Sequence, residues 1–411
     1  MKILIVNQPL NNRGDESAHK ALLRSIVKAI PQVEIIVLFI GMNNDSIRQF
    51  NVNLPQVKYV NLLGEKNSKR AKLFLIRPLQ LGVKWLWYLH PTILKVMSYY
   101  RWANYVVCAP GGICMGGFQN WPHLSYLHLA KYLDKPLLYF GRSFGPFPTK
   151  TFKNRRFKAK SLEIIRYFSF CSIRDSKTED IAKDINIDYV PTVDTAFLDM
   201  PHVEIPDDVK KIFSGKPYVV FVPNLLIWHY AYKKYTKNQV MSLYSKMLDI
   251  ILKNYPHHKI IMLPQTFNFG TYLGDDYPFF CDLKNYVNSQ DVEVIPDIYS
   301  SDIQQTIISH ASCLIGARYH SVVFAINQNI PFIALSYEHK ISGLLNSLGD
   351  TDSMIDITKV FENEDNEKKC LEDFSIIISK LSKRLDANNK AKKIALNGFE
   401  EFIKTIKTYS K

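Results

Sequence analysis

MKILIVNQPLNNRGDESAHKALLRSIVKAIPQVEIIVLF, residues 1–39, decides the fold. Ile3–Val6 is a short, unbroken apolar run, the pattern of a strand covered on both faces in a parallel sheet. Asn11-Asn12-Arg13-Gly14-Asp15-Glu16 reads as a polar loop with one glycine. From Ser17 to Ile30 the small and apolar residues Ala21, Leu22, Ser25, Ile26 and Ala29 fall on one helical stripe. Val33–Phe39 is a second apolar run. Strand, polar loop, helix, strand is the βαβ unit, and it implies a parallel sheet with helices packed on it.

Working outward, the same alternation repeats. Tyr105–Cys108 is a strand that runs into the glycine-rich Ala109–Gly117, followed by a helix over Trp121–Leu133. Pro136–Phe140 is a strand that opens a second glycine loop, Gly141-Arg142-Ser143-Phe144-Gly145-Pro146. Phe168–Ile173 ends at Arg174-Asp175, a short helix covers Thr178–Ile185, and Val190–Thr195 closes this half. Pro201–Lys216, rich in Pro, Asp and Lys, reads as a linker. Beyond it the spacing predicts strands at Tyr218–Val222, Lys259–Leu263, Val292–Ile295, Cys313–Gly316 and Pro331–Leu335. Helices are expected over Asn238–Lys253, Phe279–Val287, Ser301–Ala311 and His320–Ile326, and Lys368–Tyr409 is a helical, lysine-rich tail. A chain of 411 residues exceeds one ordinary core. The expected domains are 1–200, with a basic, aromatic insertion near 66–104, then 215–385, then a C-terminal helix over 386–411.

Apolar residues make up 47% of the chain and charged residues 22%, which fits a folded rather than a disordered protein. The formal net charge of +14 favours anionic partners. The six cysteines form no CxxC pair and most lie among apolar residues, so they are expected to be buried, reduced thiols, with no metal site. The apolar run at the N-terminus is too short for a signal peptide, and none approaches the ~20 residues that span a bilayer, so a cytoplasmic location is expected. Between Lys66 and Leu133 there is no Asp or Glu. Lys69, Arg70, Lys72, Arg77, Lys84, Lys95 and Arg101 alternate there with Trp85, Trp87, Tyr88, Tyr99, Tyr100 and Trp102. That mixture suits peripheral contact with an anionic membrane, though an ordinary helix with a cationic solvent face and an aromatic core face accounts for it more simply.

Gly316-Ala317-Arg318-Tyr319-His320 is the sharpest chemical constellation. It lies where a strand ends and a helix begins. An arginine offers a planar fork to a carboxylate or phosphate, and a helix N-terminus adds backbone N–H donors. His320, two residues on, is placed to donate to a phosphate or to pass a proton near neutral pH. Ser336-Tyr337-Glu338-His339-Lys340 brings Glu338 and a second cation, Lys340, to the next strand end. In the first half Arg174 ends a strand. Asp15 is a candidate base, or a cap for the helix that follows it. Asp194 is suited to orient a sugar hydroxyl or a neighbouring arginine. The glycine loops, with Gly14 and Gly112, follow strands and are expected to line the ligand cleft. The two glycine pairs of Gly111–Gly117 do not make a GxGxxG fingerprint, and there is no Walker lysine motif, GxSxG elbow, HExxH or recognised nucleic-acid motif.

Taken in order, Asn12–Glu16, Pro110-Gly111-Gly112, Gly141–Pro146, Ser172-Ile173-Arg174-Asp175, Asp194, Gly316–His320 and Tyr337–Lys340 resemble the polysaccharide pyruvyl transferase family. Tyr319 stands where that family often has Leu, and Glu338-His339 where it often has Asp-Pro. The resemblance implies an α/β protein of two Rossmann-like domains facing across a cleft, as in GT-B glycosyltransferases. It implies phosphoenolpyruvate as co-substrate, no other cofactor, and a sugar acceptor. Arg318, His320 and Arg174 would hold the donor, with Tyr319, Lys340 and Glu338 beside them. Such an enzyme is expected to form a cyclic pyruvate ketal, with galactose the guess for the sugar, on a lipid-linked oligosaccharide at the inner membrane face. Two other readings compete: a GT-B glycosyltransferase that uses a nucleotide sugar, and a basic binding module without catalysis. The second explains the charge but not why Arg and His gather at strand ends beside glycine loops.

Overall fold

The computed structural model describes residues 1–229, 231–267, 273–381 and 385–408. The chain forms two compact units. The first comprises Met1–Leu10, Ala18–Asp199 and Lys393–Lys411, and the second Asn11–Ser17 and Met200–Lys392. Residues 11–17 join the second unit, and the end of the C-terminal helix returns to the first.

Seven parallel strands build the first unit among the described residues: β1 (Lys2–Val6), β2 (Glu34–Phe39), β3 (Val57–Asn61), β4 (Tyr105–Cys108), β5 (Leu137–Tyr139), β6 (Phe170–Ile173) and β7 (Val190–Pro191). Their order is β3-β2-β1-β4-β5-β6-β7. Ile3, Leu4, Ile5 and Val6 have no exposed surface, and Ile3 pairs with Ile35 on one side and Tyr105 on the other. Burying each such side chain contributes about 1.5–3 kcal/mol, so the unbroken apolar run is what makes β1 central. The second unit repeats the design with β8 (Tyr218–Val222), β9 (Lys259–Met262), β10 (Val292–Val294), β11 (Leu314–Gly316), β12 (Phe332–Ser336) and β13 (Met354–Asp356), in the order β10-β9-β8-β11-β12-β13. In each sheet the order reverses beside the first strand, at β1/β4 and at β8/β11. Ligands of doubly wound sheets bind beyond the strand ends at such reversals.

Some expectations are corrected. The polar loop before the first helix is shorter than its composition suggests, because the helix runs from Arg13 to Ala29. Asn12 caps it: its Oδ1 accepts from Gly14 N at 2.7 Å and Asp15 N at 3.3 Å. Asp15 therefore sits in the first turn and is not the cap. The linker contains a helix, Asp207–Phe213, that buries Val209 and Phe213, with Phe213 stacked on Tyr218 at 4.4 Å. With so few apolar residues, two turns leave no readable period. The tail is two helices, Glu364–Ser379 and Leu385–Thr408, and its expected end at Tyr409 lies outside the described residues. The second helix packs Phe402 against Phe140 and Phe170, with ring centroids 4.9 and 5.6 Å apart, and the Tyr105 hydroxyl donates to Ile406 O at 2.7 Å. All six cysteines are free thiols. No described helix is long and apolar enough to cross a membrane.

Candidate active site

At the end of β11 the chain turns so closely that a Cβ on Gly316 would lie 2.2 Å from Ser321 Oγ. Arg318 follows with extended backbone and starts the helix Tyr319–Asn327. Its carbonyl accepts from Ser321 N at 3.0 Å and Ser321 Oγ at 2.6 Å. The Arg318 side chain is 14% exposed, and its Nη2 donates to the Asp276 carboxylate and, at 3.1 Å, to Thr266 Oγ1. Asp276 is itself fixed, because its other oxygen accepts from Gln265 N at 2.9 Å and Thr266 N at 3.0 Å. Burial alone would lower the Arg318 pKa, but Asp276 and then Tyr337 outweigh it and hold the guanidinium charged. Arg318 Nε is buried with no hydrogen-bond partner among the described residues. The indole of Trp228 lies 5.9 Å from the guanidinium carbon, held by a 2.7 Å bond from Nε1 to Asn224 Oδ1. Asn224 stands just past β8 and Arg318 just past β11, so the arginine sits at the sheet's reversal point.

His320 is 8% exposed, and its ring lies edge-on to Tyr319 with centroids 5.1 Å apart. On its other side is Gly14, where an added Cβ would fall 1.7 Å from His320 Cγ. The glycine is required because the imidazole occupies the space of a side chain. The two charged neighbours of Gly14 are structural. Arg13 and Glu16 are fully buried and paired at 2.8 Å. Arg13 lies 3.8 Å from the Phe267 ring, and Glu16 accepts from Ser301 N at 3.1 Å. Asp15, between them, is half-buried. Past β12, Tyr337 is 6% exposed, and burial, then Glu338, raises its pKa. Lys340 is 3.2 Å from Glu338 Oε1, so this second cation is held by its own neighbour.

In the first unit Arg174 and Asp194 form a buried ion pair, and Asp194 also accepts from Ala196 N at 3.0 Å. Of the two roles expected for Asp194, the structure shows it orienting an arginine. Asp175 caps the helix Ser176–Asp184 through Thr178 N at 2.9 Å. The glycine loops are organised by Arg142, which is 1% exposed. It donates to Ala109 O at 2.7 Å, Gly112 O at 3.0 Å and Cys114 Sγ at 3.0 Å. The Gly112 carbonyl is thereby engaged, while a Cβ there would meet nothing within 4 Å.

The structure therefore brings Gly14, Arg318, Tyr319 and His320 together in the second unit, and Arg174 with Asp194 in the first. Sequence reasoning missed Asp276, Thr266, Asn224 and Trp228. The only signal for Asp276 was an acidic pair, Asp275-Asp276, before an apolar helix. Arg142 was legible only as part of a glycine motif.

Two parallel-sheet units with a charged site at a sheet reversal define a GT-B-like fold, and solved structures agree on it. The chain is similar to UDP-GlcNAc 2-epimerase from Neisseria meningitidis bound to UDP-GlcNAc (TM-score 0.55, 11% identity, 98% of this chain and 100% of that one). It is also similar to a UGT transferase from Siraitia grosvenorii in complex with UDP (TM-score 0.58, 10% identity, 98% and 99%). The family is more specific. The polysaccharide pyruvyl transferase model matches residues 12–339, and the chain belongs to that family. Amylovoran biosynthesis protein AmsJ of Erwinia amylovora is 22% identical over 238 residues, 56% of this chain. That match spans about half of AmsJ's length, 55%.

Proposed function

We propose that the protein transfers the enolpyruvyl carbons of phosphoenolpyruvate to two hydroxyls of one sugar in a surface polysaccharide precursor, giving a cyclic pyruvate ketal and inorganic phosphate. The observation that carries this reading is Arg318, charged, only 14% exposed and paired with Asp276 at a strand end, with His320 in the first turn of the helix that follows. Phosphoenolpyruvate bears a carboxylate and a phosphate, and a fixed guanidinium beside helix N–H groups suits either. In the reaction the methylene carbon takes a proton and becomes the methyl group. A sugar hydroxyl bonds to C2, the C2–O(phosphate) bond breaks, and a second hydroxyl closes the ring. The two hydroxyl protons end on the methyl carbon and on phosphate. His320 is assigned the proton donation, and Asp15 receives a hydroxyl proton. Tyr319, Glu338, Lys340 and Gly14 complete the assigned substrate contacts of the second unit. The sugar, for which galactose is the first choice, is carried on a lipid-linked oligosaccharide at the inner membrane face.

The test is phosphate release from phosphoenolpyruvate with galactosides, mannosides and glucosides, read with product mass. Acceptor-dependent phosphate with a pyruvyl mass gain is expected. Thermal stabilisation by UDP or GDP, with none by phosphoenolpyruvate and no phosphate release, would replace this reading by a nucleotide-sugar glycosyltransferase.

A further inference from the structure

The basic, aromatic insertion divides into a buried half and an exposed half. Its helices Lys69–Leu81 and Pro91–Trp102 are joined by a 3-10 turn, Lys84–Leu89. Trp87 plugs the hairpin, fully buried, with its Nε1 donating to Leu75 O at 2.9 Å, and Phe74 meets His90 with ring centroids 5.0 Å apart. Tyr100 is also fully buried, and its hydroxyl donates to Tyr126 O at 2.7 Å. Those two aromatics belong to the core.

The other half is exposed, with Tyr88 also touching Tyr132 at a ring-centroid distance of 6.1 Å. Leu73, Leu81, Trp85, Tyr88, Leu89 and Leu94 are 38–60% exposed. They are six of the fifteen large apolar residues exposed in the described chain, concentrated in 22 residues. Lys69, Leu73, Arg77 and Leu81 recur every four residues, so cations and apolar groups share one stripe of the helix. Arg70, Lys95 and Arg101 are exposed as well, and Arg101 lies 6.0 Å from the Tyr88 ring. The segment supplies no carboxylate. Glu163 of the neighbouring helix Phe152–Ile165 is already surrounded by Lys84 at 3.2 Å, Lys131 at 3.3 Å and Lys160 at 2.7 Å. Leucines beside Trp and Tyr, ringed by uncompensated cations, match a surface that is apolar just beneath a negative layer.

We propose that this hairpin face is a docking surface for an anionic lipid bilayer, with Leu81, Trp85 and Leu89 entering the headgroup region and Lys69, Arg70, Arg77, Lys95 and Arg101 above it. The choice of a membrane rests on the lipid-linked acceptor proposed above. The surface stands on exposure and charge, and its test uses no catalytic readout. The full chain is sedimented with vesicles of phosphatidylglycerol mixed into phosphatidylcholine, and with phosphatidylcholine alone. Binding to the anionic vesicles that weakens with salt is expected, together with Trp quenching by brominated lipid that is reduced in Trp85→Phe. Removing one of the five cations should weaken binding about five-fold at low salt. Leu81→Ser with Leu89→Ser should weaken it ten-fold or more without changing the melting temperature, because both side chains are already largely in water. Ile376→Ser, at an exposed position in the second unit, should bind as wild type. No binding to anionic vesicles at low salt, or equal binding by the leucine variant, would overturn the proposal. The two readings fail separately. Phosphate release on a soluble galactoside without vesicle binding removes the docking face alone, and vesicle binding without any phosphate release removes the reaction alone.

Discussion

Replacing Gly14 by alanine adds one methyl group where the structure has an imidazole. The new Cβ would lie 1.7 Å from His320 Cγ, 1.9 Å from Nδ1 and 2.3 Å from Cδ2. Carbon atoms in ordinary contact stand about 3.5–4.0 Å apart, so the ring must retreat by about 2 Å or the helix must shift as a body. A misplacement of about 1 Å at a reacting group costs on the order of 10²-fold in rate, so kcat/KM should fall at least that far. Stability moves less. Alanine gains about 1 kcal/mol of helix propensity over glycine, while overpacking costs about 1–3 kcal/mol, so the net loss is at most about 2 kcal/mol. The assay is acceptor-dependent phosphate release, alongside urea unfolding. Gly343→Ala is the control: in the helix His339–Leu348 its Cβ would meet nothing within 4 Å, and it should gain about 0.5–1 kcal/mol with turnover unchanged. A Gly14→Ala enzyme that folds and keeps kcat/KM within three-fold of wild type would refute the assignment of His320 to the chemistry.

Asp276→Asn removes the charge that neutralises buried Arg318, so the urea midpoint should drop by the equivalent of about 3–5 kcal/mol and the KM for phosphoenolpyruvate should rise; an unchanged midpoint and KM would show that the pair aims nothing. Burial pushes the thiols of Cys108 up to about 11 and of Cys171 and Cys313 up to about 12, so native protein at pH 8 should be alkylated first at half-buried Cys114 and Cys281, as peptide mass mapping would read. Burial, then Lys20, lowers His19 to about 3, and burial lowers His128 to about 4. Both are neutral when folded and protonate near 6.5 when unfolded, so the unfolded chain binds more protons below that value and stability falls with pH. At pH 5 each costs about 2 kcal/mol relative to pH 7, and a melting temperature equal at the two pH values would count against buried neutral imidazoles.

The fold was legible wherever burial was total. β1, β4, β8 and β11 are central strands, and unbroken runs such as Tyr218–Val222 can be buried on both faces only in a parallel sheet. The edges were legible only in part: β10 was expected, whereas β3 and β13 were not. β3, Val57–Asn61, has no fully buried residue, and Lys58 and Asn61 interrupt its apolar pattern. The helix Phe152–Ile165 buries only Phe157, Ser161, Ile164 and Ile165, under a face of lysines and arginines that hides the stripe. The destination of the C-terminal helix was also out of reach, because Phe402 meets Phe140 only through contacts distant in sequence.

For the site, what sequence cannot supply is the partner of each charge. Arg13 and Arg318 look alike as letters beside a glycine. Yet Arg13 is fully buried against Glu16 and the Phe267 ring, whereas Arg318 keeps 14% of its side chain exposed and donates through Nη2 to Asp276 and Thr266. A buried guanidinium is costly unless its charge is matched, and each of these two arginines has a carboxylate partner. Arg142 shows the contrasting arrangement. It is spread over the Gly112 and Ala109 carbonyls and Cys114 Sγ, and those contacts set the shape of the glycine loop. The carboxylate that pairs with Arg318 lies 42 residues away, at the start of another helix. No local motif records that pairing. The family motif marks where the positive charge falls, and the carboxylate that aims it is visible only in the folded chain.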